Sequence, residues 1–288
     1  MTALPTPLIG AEALRRRLAD GTPTLLVETS FDLTDPAAGE RSHAAGHLPG
    51  AHYLHLDRDL ADHAPPADGR FRGRHPLPTP AAFALTLGRL GITPSSAVVL
   101  YDRQGGVYAA RAWWMLRWMG HREVAVLDGG VAAWQAAGGA LDDAAPAATA
   151  GTVYAVADDA MMPTIDAAAL QASLGGVRLL DARAPERFRG EVEPLDPVAG
   201  HIPGALNRPF KDNLDAQGRF LARDALRAAF EPLLAGRPPG EVVHQCGSGV
   251  TACHNLLAME AAGLPGSVLY PGSWSEWCAD PARPVARG

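Results

Sequence analysis

The stretch Val242-Val243-His244-Gln245-Cys246-Gly247-Ser248-Gly249-Val250-Thr251-Ala252-Cys253 carries most of what this chain reveals. A short apolar run leads into a cysteine, and two glycines and two hydroxyl residues follow closely. Beyond them Val250, Cys253, Leu256 and Leu257 recur at helical spacing up to Gly263. This pattern predicts a strand, a tight loop and a helix, with Cys246 where the strand gives way to the loop. Gly247 and Gly249 let the backbone curl so that several N–H groups face the Cys246 sulfur. The helix behind the loop adds the positive end of its dipole. Both effects favour the thiolate, which is the nucleophile. Ser248 and Thr251 add hydroxyl donors for an anion held in the bowl, and Gly247, Gly249, Val250 and Thr251 are expected to bind the substrate there. The loop contains no Lys or Arg, so these dipoles are expected to carry most of the local stabilisation. A buried structural cysteine is the plain alternative, but a packed cysteine has no use for a Gly-x-Gly loop beside it. A cysteine-dependent phosphatase would place an arginine six residues after the cysteine, and that position is Ala252.

The stretch has a counterpart earlier in the chain. Val98-Val99-Leu100-Tyr101-Asp102 aligns with Val242-Val243-His244-Gln245-Cys246, and Asp128-Gly129-Gly130 with Pro271-Gly272-Ser273. Ala45-Gly46-His47-Leu48-Pro49-Gly50-Ala51 returns almost unchanged as Ala199-Gly200-His201-Ile202-Pro203-Gly204-Ala205, displaced by 199 − 45 = 154 positions. The same displacement carries Leu25-Leu26 onto Leu179-Leu180. So long a period means two copies of one domain, not a solenoid. Strands alternating with helices predict an α/β fold: two tandem domains, each a mainly parallel sheet flanked by helices. Sites in such sheets lie at the carboxyl ends of strands, where Cys246 is placed. Asp102 holds the cysteine's position in the first copy, which predicts a catalytically silent domain. The domains are expected at 1–143 and 162–288, joined by an Ala- and Asp-rich linker at 144–161. The first copy is the longer, with 102 − 47 = 55 positions where the second has 246 − 201 = 45. The extra length falls between Asp57 and Pro80, a stretch rich in Pro, Gly, Arg and His that reads as surface loop.

Composition excludes several classes. A length of 288 residues fits about two domains, and 47% hydrophobic residues suffice for packed cores. A net charge of −6 gives no support to nucleic-acid or membrane-surface binding. No apolar stretch reaches the length of a membrane span, and Met1 to Gly10 lack the pattern of a signal peptide. Three cysteines do not make a disulfide framework. A reducing compartment suits a thiol enzyme, so a cytoplasmic location is expected. Cys253 reads as packed within its helix, and a regulatory disulfide of Cys278 stays open. His244 and His254 lie near Cys246 without a second close ligand pair, so no metal is expected.

Cys246-Gly247-Ser248-Gly249-Val250-Thr251-Ala252 resembles the active-site loop of the rhodanese superfamily. It is closest to the 3-mercaptopyruvate sulfurtransferases, whereas thiosulfate sulfurtransferases of the same architecture carry basic residues after the cysteine. Asp181-Ala182-Arg183, Arg187-Phe188, the Gly200–Ala205 segment and Gly272-Ser273-Trp274-Ser275-Glu276-Trp277 match the family in order, so the likeness spans nearly the whole chain. The resemblance implies that Arg187 binds the donor's carboxylate, or the sulfonate end of thiosulfate, the plain alternative being a salt bridge to Glu186 or Glu191. It also implies an Asp–His–Ser relay of Asp57, His75 and Ser248. His75-Pro76-Leu77-Pro78 resembles the family's His-x-Leu-Pro stretch, with His63 in reserve for His75. Asp181 and Arg183 read as a structural ion pair. His47 and His201, shared by the silent and active copies, read as parts of the fold. One departure stands out: Glu193-Pro194-Leu195-Asp196 has leucine where the family carries a second arginine, and Arg103 and Arg208 are candidates to replace it.

The resemblance implies transfer of sulfane sulfur from 3-mercaptopyruvate to a thiophilic acceptor. Cys246 attacks the donor sulfur and pyruvate leaves as its enolate, protonated by Ser248 or water. The Cys246 persulfide then passes its outer sulfur to a thiol, cyanide or reduced thioredoxin. No organic cofactor or metal is needed. Two alternatives stay open: a thiosulfate sulfurtransferase, and a persulfide carrier with little turnover of small donors.

Overall fold

The computed structural model describes residues 3–149, 151–156 and 162–288. The chain divides into two compact units, neither continuous in sequence. One comprises Met1–Asp62, Pro78–Met161 and Ala216–Phe220, the other His63–Leu77, Met162–Asp215 and Leu221–Gly288.

The first unit holds the strands β1 (Leu8–Ile9), β2 (Leu25–Glu28), β3 (His52–Tyr53), β4 (Val98–Tyr101) and β5 (Val124–Leu127). All pair in parallel, in the order β1-β5-β4-β2-β3. β4 and β5 are buried along their whole length, as expected of central parallel strands covered on both faces. Val99 and Tyr101 share one face of β4 and pack with Leu14, Leu26, Leu127 and Trp134. Leu14 comes from helix Ala11–Ala19, whose bounds match the amphipathic pattern of the sequence. Trp113 and Trp114 of helix Val107–Trp118 are fully buried.

The stretch expected as linker lies partly outside the described residues, at 150 and 157–161. Its described part is held on the first unit. Thr152 N donates to Gly88 O at 3.0 Å, Thr152 Oγ1 to Ile92 O at 3.3 Å, and the Tyr154 hydroxyl lies 3.2 Å from His121 Nδ1. Isolated backbone and hydroxyl contacts such as these leave no periodic pattern in a sequence.

The second unit holds β6 (Arg178–Asp181), β7 (Leu206–Asn207), β8 (Val242–Gln245) and β9 (Val268–Leu269), again all parallel, in the order β7-β6-β8-β9. A parallel bridge between Thr164 and Leu269 stands where β1 pairs with β5. The two sheets therefore share one plan. Their register corrects the sequence alignment by one residue. Leu25 faces Val98 and Arg178 faces Val242, so β2 matches β6 with Leu26 on Leu179, not Leu180. Leu26 and Leu179 both lie in the core layers. A one-residue slip would turn every side chain of the strand to the other face. The corrected register also matches two buried acids, Glu28 bonded to Arg103 and Asp181 bonded to Arg183. His47 and His201 serve the fold in both copies: His47 Nδ1 lies 2.8 Å from His43 O, and His201 Nδ1 lies 2.8 Å from Phe188 O.

Beyond β4 and β8 the chain makes the same turn. A displacement of 246 − 102 = 144 carries Asp102 onto Cys246, Gly105 onto Gly249 and Val107 onto Thr251. Gly105 and Gly249 are both left-handed, at φ 75° and 78°, and the following helices begin at Val107 and Thr251. In the first copy Asp102 fills its own bowl. Oδ1 accepts from Gln104 N and Gly106 N at 2.9 and 2.8 Å, and Oδ2 from Tyr108 N and Ala109 N at 2.8 and 3.0 Å. Complete burial pushes the carboxyl's pKa up, and the four N–H groups pull against that rise. Asp102→Asn would turn an amide NH2 toward those donors. It should destabilise the protein by about 2–4 kcal/mol in urea unfolding, the cost of leaving buried donors unpaired. A loss within error of zero would mean the bowl does not depend on its carboxylate.

Candidate functional site

Cys246 lies directly after β8, and the chain from Val242 to Val250 is buried, Cys246 itself to 2% exposure. The cysteine's backbone is pinned by helix Ser273–Trp277. Cys246 N donates to Ser273 Oγ at 3.1 Å, Trp274 N donates to Cys246 O at 2.9 Å, and Ser275 N donates to Gly247 O at 3.0 Å. Ser273 sits at φ 53°, where the first copy has Gly130 at φ 54°. A non-glycine residue in this region carries strain of about 1–3 kcal/mol. Here the strained backbone brings a hydroxyl onto the Cys246 N–H. In the sequence Ser273 stands only as part of the Gly272–Trp277 motif. The signal was its alignment with a glycine.

The two loop glycines have different reasons to be glycine. Gly249 is left-handed, and a Cβ there would lie 2.4 Å from Pro271 O. Gly247 is not left-handed and makes room: a Cβ there would lie 2.8 Å from Arg74 Nη2 and 3.5 Å from Arg187 Nη1. The expectation that both glycines serve backbone curl therefore holds for Gly249 alone. The expectation of a loop stabilised without cations is also corrected, because two guanidinium groups from distant parts of the sequence lie against it. Val250 is buried at the helix start and Thr251, the first helical residue, is half-buried.

Arg187 follows β6 on helix Pro185–Phe188. Its Nη2 donates to Glu193 Oε1 at 2.6 Å and to Asp196 Oδ2 at 3.4 Å, and its Nε donates to Glu193 Oε2 at 3.3 Å. The partners anticipated from sequence, Glu186 and Glu191, are not these. Glu191 pairs with Arg189 at 2.7 Å instead. Arg74 Nη1 bonds the Asp196 carboxylate from the other side. Arg183 forms the expected buried pair, its Nη2 2.6 Å from Asp181 Oδ2, and lies 4.8 Å over the Trp274 ring. The two candidates for the missing arginine have other partners. Arg103 belongs to the first unit and bonds Glu28 Oε1 at 2.8 Å, while Arg208 bonds Asn213 Oδ1 at 3.0 Å.

Ser248 and His75 meet. His75 Nδ1 lies 2.7 Å from Ser248 Oγ, with the two residues 6% and 7% exposed. His63, the reserve, contacts the His75 ring at 6.2 Å between centroids. The stretch between Asp57 and Pro80 is thus not plain surface loop. Gly73, His75 and Pro76 are buried, and Arg74 N donates to Ser275 Oγ at 3.1 Å. Asp57 lies in the first unit on helix Leu56–Asp59, where it is half-buried and its N–H donates to His55 Nδ1 at 3.1 Å.

The remaining sulfur and imidazole groups are held elsewhere. Cys253 donates to Gly249 O at 3.2 Å, and burial pushes the Cys278 thiol up to about 11. His244 is enclosed in β8 and pushed down to about 3 by burial, with Nε2 3.1 Å from Met259 Sδ. His254 Nδ1 lies 3.2 Å from Asn213 Nδ2. Among the described residues no three His, Cys, Asp or Glu side chains gather as metal ligands would.

The rhodanese-like domain model matches residues 10–137 and 166–280. A probable 3-mercaptopyruvate sulfurtransferase of Pseudomonas aeruginosa is 53% identical, over 98% of both chains. A putative thiosulfate sulfurtransferase of Mycobacterium tuberculosis is 42% identical over 98% of this chain and 97% of its own. Among solved structures, 3-mercaptopyruvate sulfurtransferase from Leishmania major superposes with a TM-score of 0.82 at 27% identity, covering 95% of this chain and 74% of that one.

Two substitutions of Ser273 separate its strain from its hydrogen bond. Ser273→Ala keeps the strain, loses the acceptor for Cys246 N–H, and should cost about 1–3 kcal/mol. Ser273→Gly loses the same bond but relieves the backbone, so its loss should be smaller. Chemical denaturation of both variants checks the order. Equal stability of Ser273→Ala and the parent would mean that the serine does not hold the cysteine.

Proposed function

We propose, for a chain that belongs to the rhodanese-like family and carries two of its domains, that sulfur is carried on Cys246. The protein is a sulfurtransferase with 3-mercaptopyruvate as donor. The Cys246 thiolate attacks the donor sulfur. The bond from that sulfur to C3 breaks, its electron pair goes to C3, and pyruvate leaves as the enolate. Cys246 keeps the outer sulfur and its proton as a persulfide. Ser248, hydrogen-bonded to His75, supplies the proton that turns the enolate into pyruvate, and His75 replaces it. In the second half-reaction an acceptor thiolate takes the outer sulfur and Cys246 is released as thiolate.

The observation that carries this reading is the 2.7 Å contact between His75 Nδ1 and Ser248 Oγ, two residues from the nucleophile. Anion stabilisation is supported by the repeat. The donors that hold the Asp102 carboxylate correspond to the N–H groups of Ser248, Val250, Ala252 and Cys253. Cys253 N is already bonded to Val250 O at 3.0 Å, which leaves the first three for the sulfur anion. Arg187 binds the donor carboxylate in this reading. Asp57 is assigned to the relay on the family resemblance alone. The domain covering the first copy is catalytically silent, since its bowl is filled by its own carboxylate.

Thiosulfate remains a second donor, favoured by the two guanidinium groups over Gly247, which suit a dianion. The acceptor is a thiol, cyanide or reduced thioredoxin, and the reducing cytoplasm is the compartment that suits the persulfide. No helix among the described residues is long and apolar enough to cross a membrane.

Donor kinetics test the relay. Ser248→Ala and His75→Ala should slow mercaptopyruvate turnover by about 10²-fold, the scale of general acid–base catalysis. Thiosulfate, whose leaving group needs no proton, should be affected far less. Asp57→Asn should follow His75→Ala if it orients that imidazole. Equal losses with both donors would point to a distorted loop and remove Ser248 from the proton path.

A further inference from the structure

We infer that Arg74 is the second donor-binding guanidinium of the Cys246 site, standing in for the arginine absent at Leu195, and that it favours donors with an anionic end, such as the carboxylate of 3-mercaptopyruvate, over neutral ones. The inference rests on the sulfurtransferase reading above. Each of the two guanidinium groups near the loop is tethered on one edge by a carboxylate. Arg187 gives Nε and Nη2 to Glu193, and Arg74 gives Nη1 to Asp196. The nitrogens left over, Arg187 Nη1 and Arg74 Nη2, converge on the backbone at Gly247, next to Cys246. Two N–H donors fixed about one point match the two oxygens of a carboxylate, which arginine pairs hold with defined geometry.

A clamp on Asp196 alone would not need this approach. Asp196 is already within 3.4 Å of Arg187, and Arg74 Nη2 comes so close to Gly247 that any Cβ there would be 2.8 Å away. The segment that carries Arg74 is fastened to the same loop. Ser275 Oγ accepts from Arg74 N at 3.1 Å, while Ser275 N donates to Gly247 O at 3.0 Å. One short segment, Gly73-Arg74-His75, thus delivers both a cation for the donor and the imidazole that meets Ser248. Leu195, by contrast, is 45% exposed, and its N–H is spent on Glu193 Oε1 at 3.1 Å. A carboxylate contact made equally in the ground and transition states raises KM when lost and leaves kcat nearly unchanged. That signature separates binding from a structural role.

The test compares 3-mercaptopyruvate with mercaptoacetone, which keeps the thiol and ketone and lacks the carboxylate. Arg74→Leu should raise the mercaptopyruvate KM by about tenfold, the loss of one charged hydrogen bond. Its kcat should change by less than about threefold, and kcat/KM for mercaptoacetone by less than about twofold. Adding Leu195→Arg to Arg74→Leu should bring the KM back down. Arg74→Gln, which keeps a donor for Asp196, serves if Arg74→Leu does not fold, and should show the same donor-dependent split. An unchanged mercaptopyruvate KM, or equal losses with both donors and no recovery in the double variant, would overturn the role given to Arg74. A parent protein that forms no persulfide from mercaptopyruvate would overturn the sulfurtransferase reading itself, and this inference with it.

Discussion

The structure depends on one turn, in which a buried parallel strand ends and the chain curls its N–H groups around a single side chain before entering a helix. Parallel pairing brings both central strands to the same end of their sheets, and a left-handed glycine makes each turn close. Such a turn concentrates amide dipoles and a helix N-terminus on one point, so it favours whatever anion stands there. Duplication gave the chain two of them. The first is saturated by Asp102, with four N–H groups at 2.8–3.0 Å. The second holds the Cys246 sulfur. The first copy therefore displays, with a fixed carboxylate, the anion binding proposed for a thiolate or persulfide at the second turn.

Around the second turn lies a set of ions, its carboxylates and Arg183 buried and Arg74 and Arg187 half-buried. Arg74, Arg183 and Arg187 face Asp181, Glu193 and Asp196, and the carboxylates are at most 3% exposed. Exposed pairs such as Arg16–Glu12 contribute about 0–1 kcal/mol. This set differs in kind: desolvation offsets much of its attraction, yet removing one member costs about 3–5 kcal/mol by stranding the others. Its value is therefore placement. A guanidinium already fixed by a carboxylate has less freedom to lose when a substrate arrives.

The fold was legible in the sequence because it is periodic twice over, in the alternation of strands and helices and in the duplication. The Cys246 turn was legible for the same reason, since Gly105 and Gly249 occupy matched places. His75 was legible only through the family's His-x-Leu-Pro stretch. Arg74, beside it, was not, because nothing local marks an arginine that reaches a loop so far along the chain. The role of Gly247 is hidden for a related reason, as a glycine needed for space looks the same in sequence as one needed for a turn. The slip of β2 against β6 shows the limit of repeat matching. Two adjacent leucines satisfy the pattern at either register, and only the faces of the strand decide.

The central claim is that the second turn carries sulfur on Cys246 and on no other thiol. Mass spectrometry after treatment with 3-mercaptopyruvate in the absence of acceptor tests it most directly, with fragment spectra that separate Cys246 from Cys253 and Cys278. The account predicts a gain of one sulfur, roughly 32 Da as covalent sulfur transfer requires, localised to Cys246 and removed by a thiol acceptor. Sulfur on Cys253 or Cys278, or pyruvate released while Cys246 stays unmodified, would contradict it.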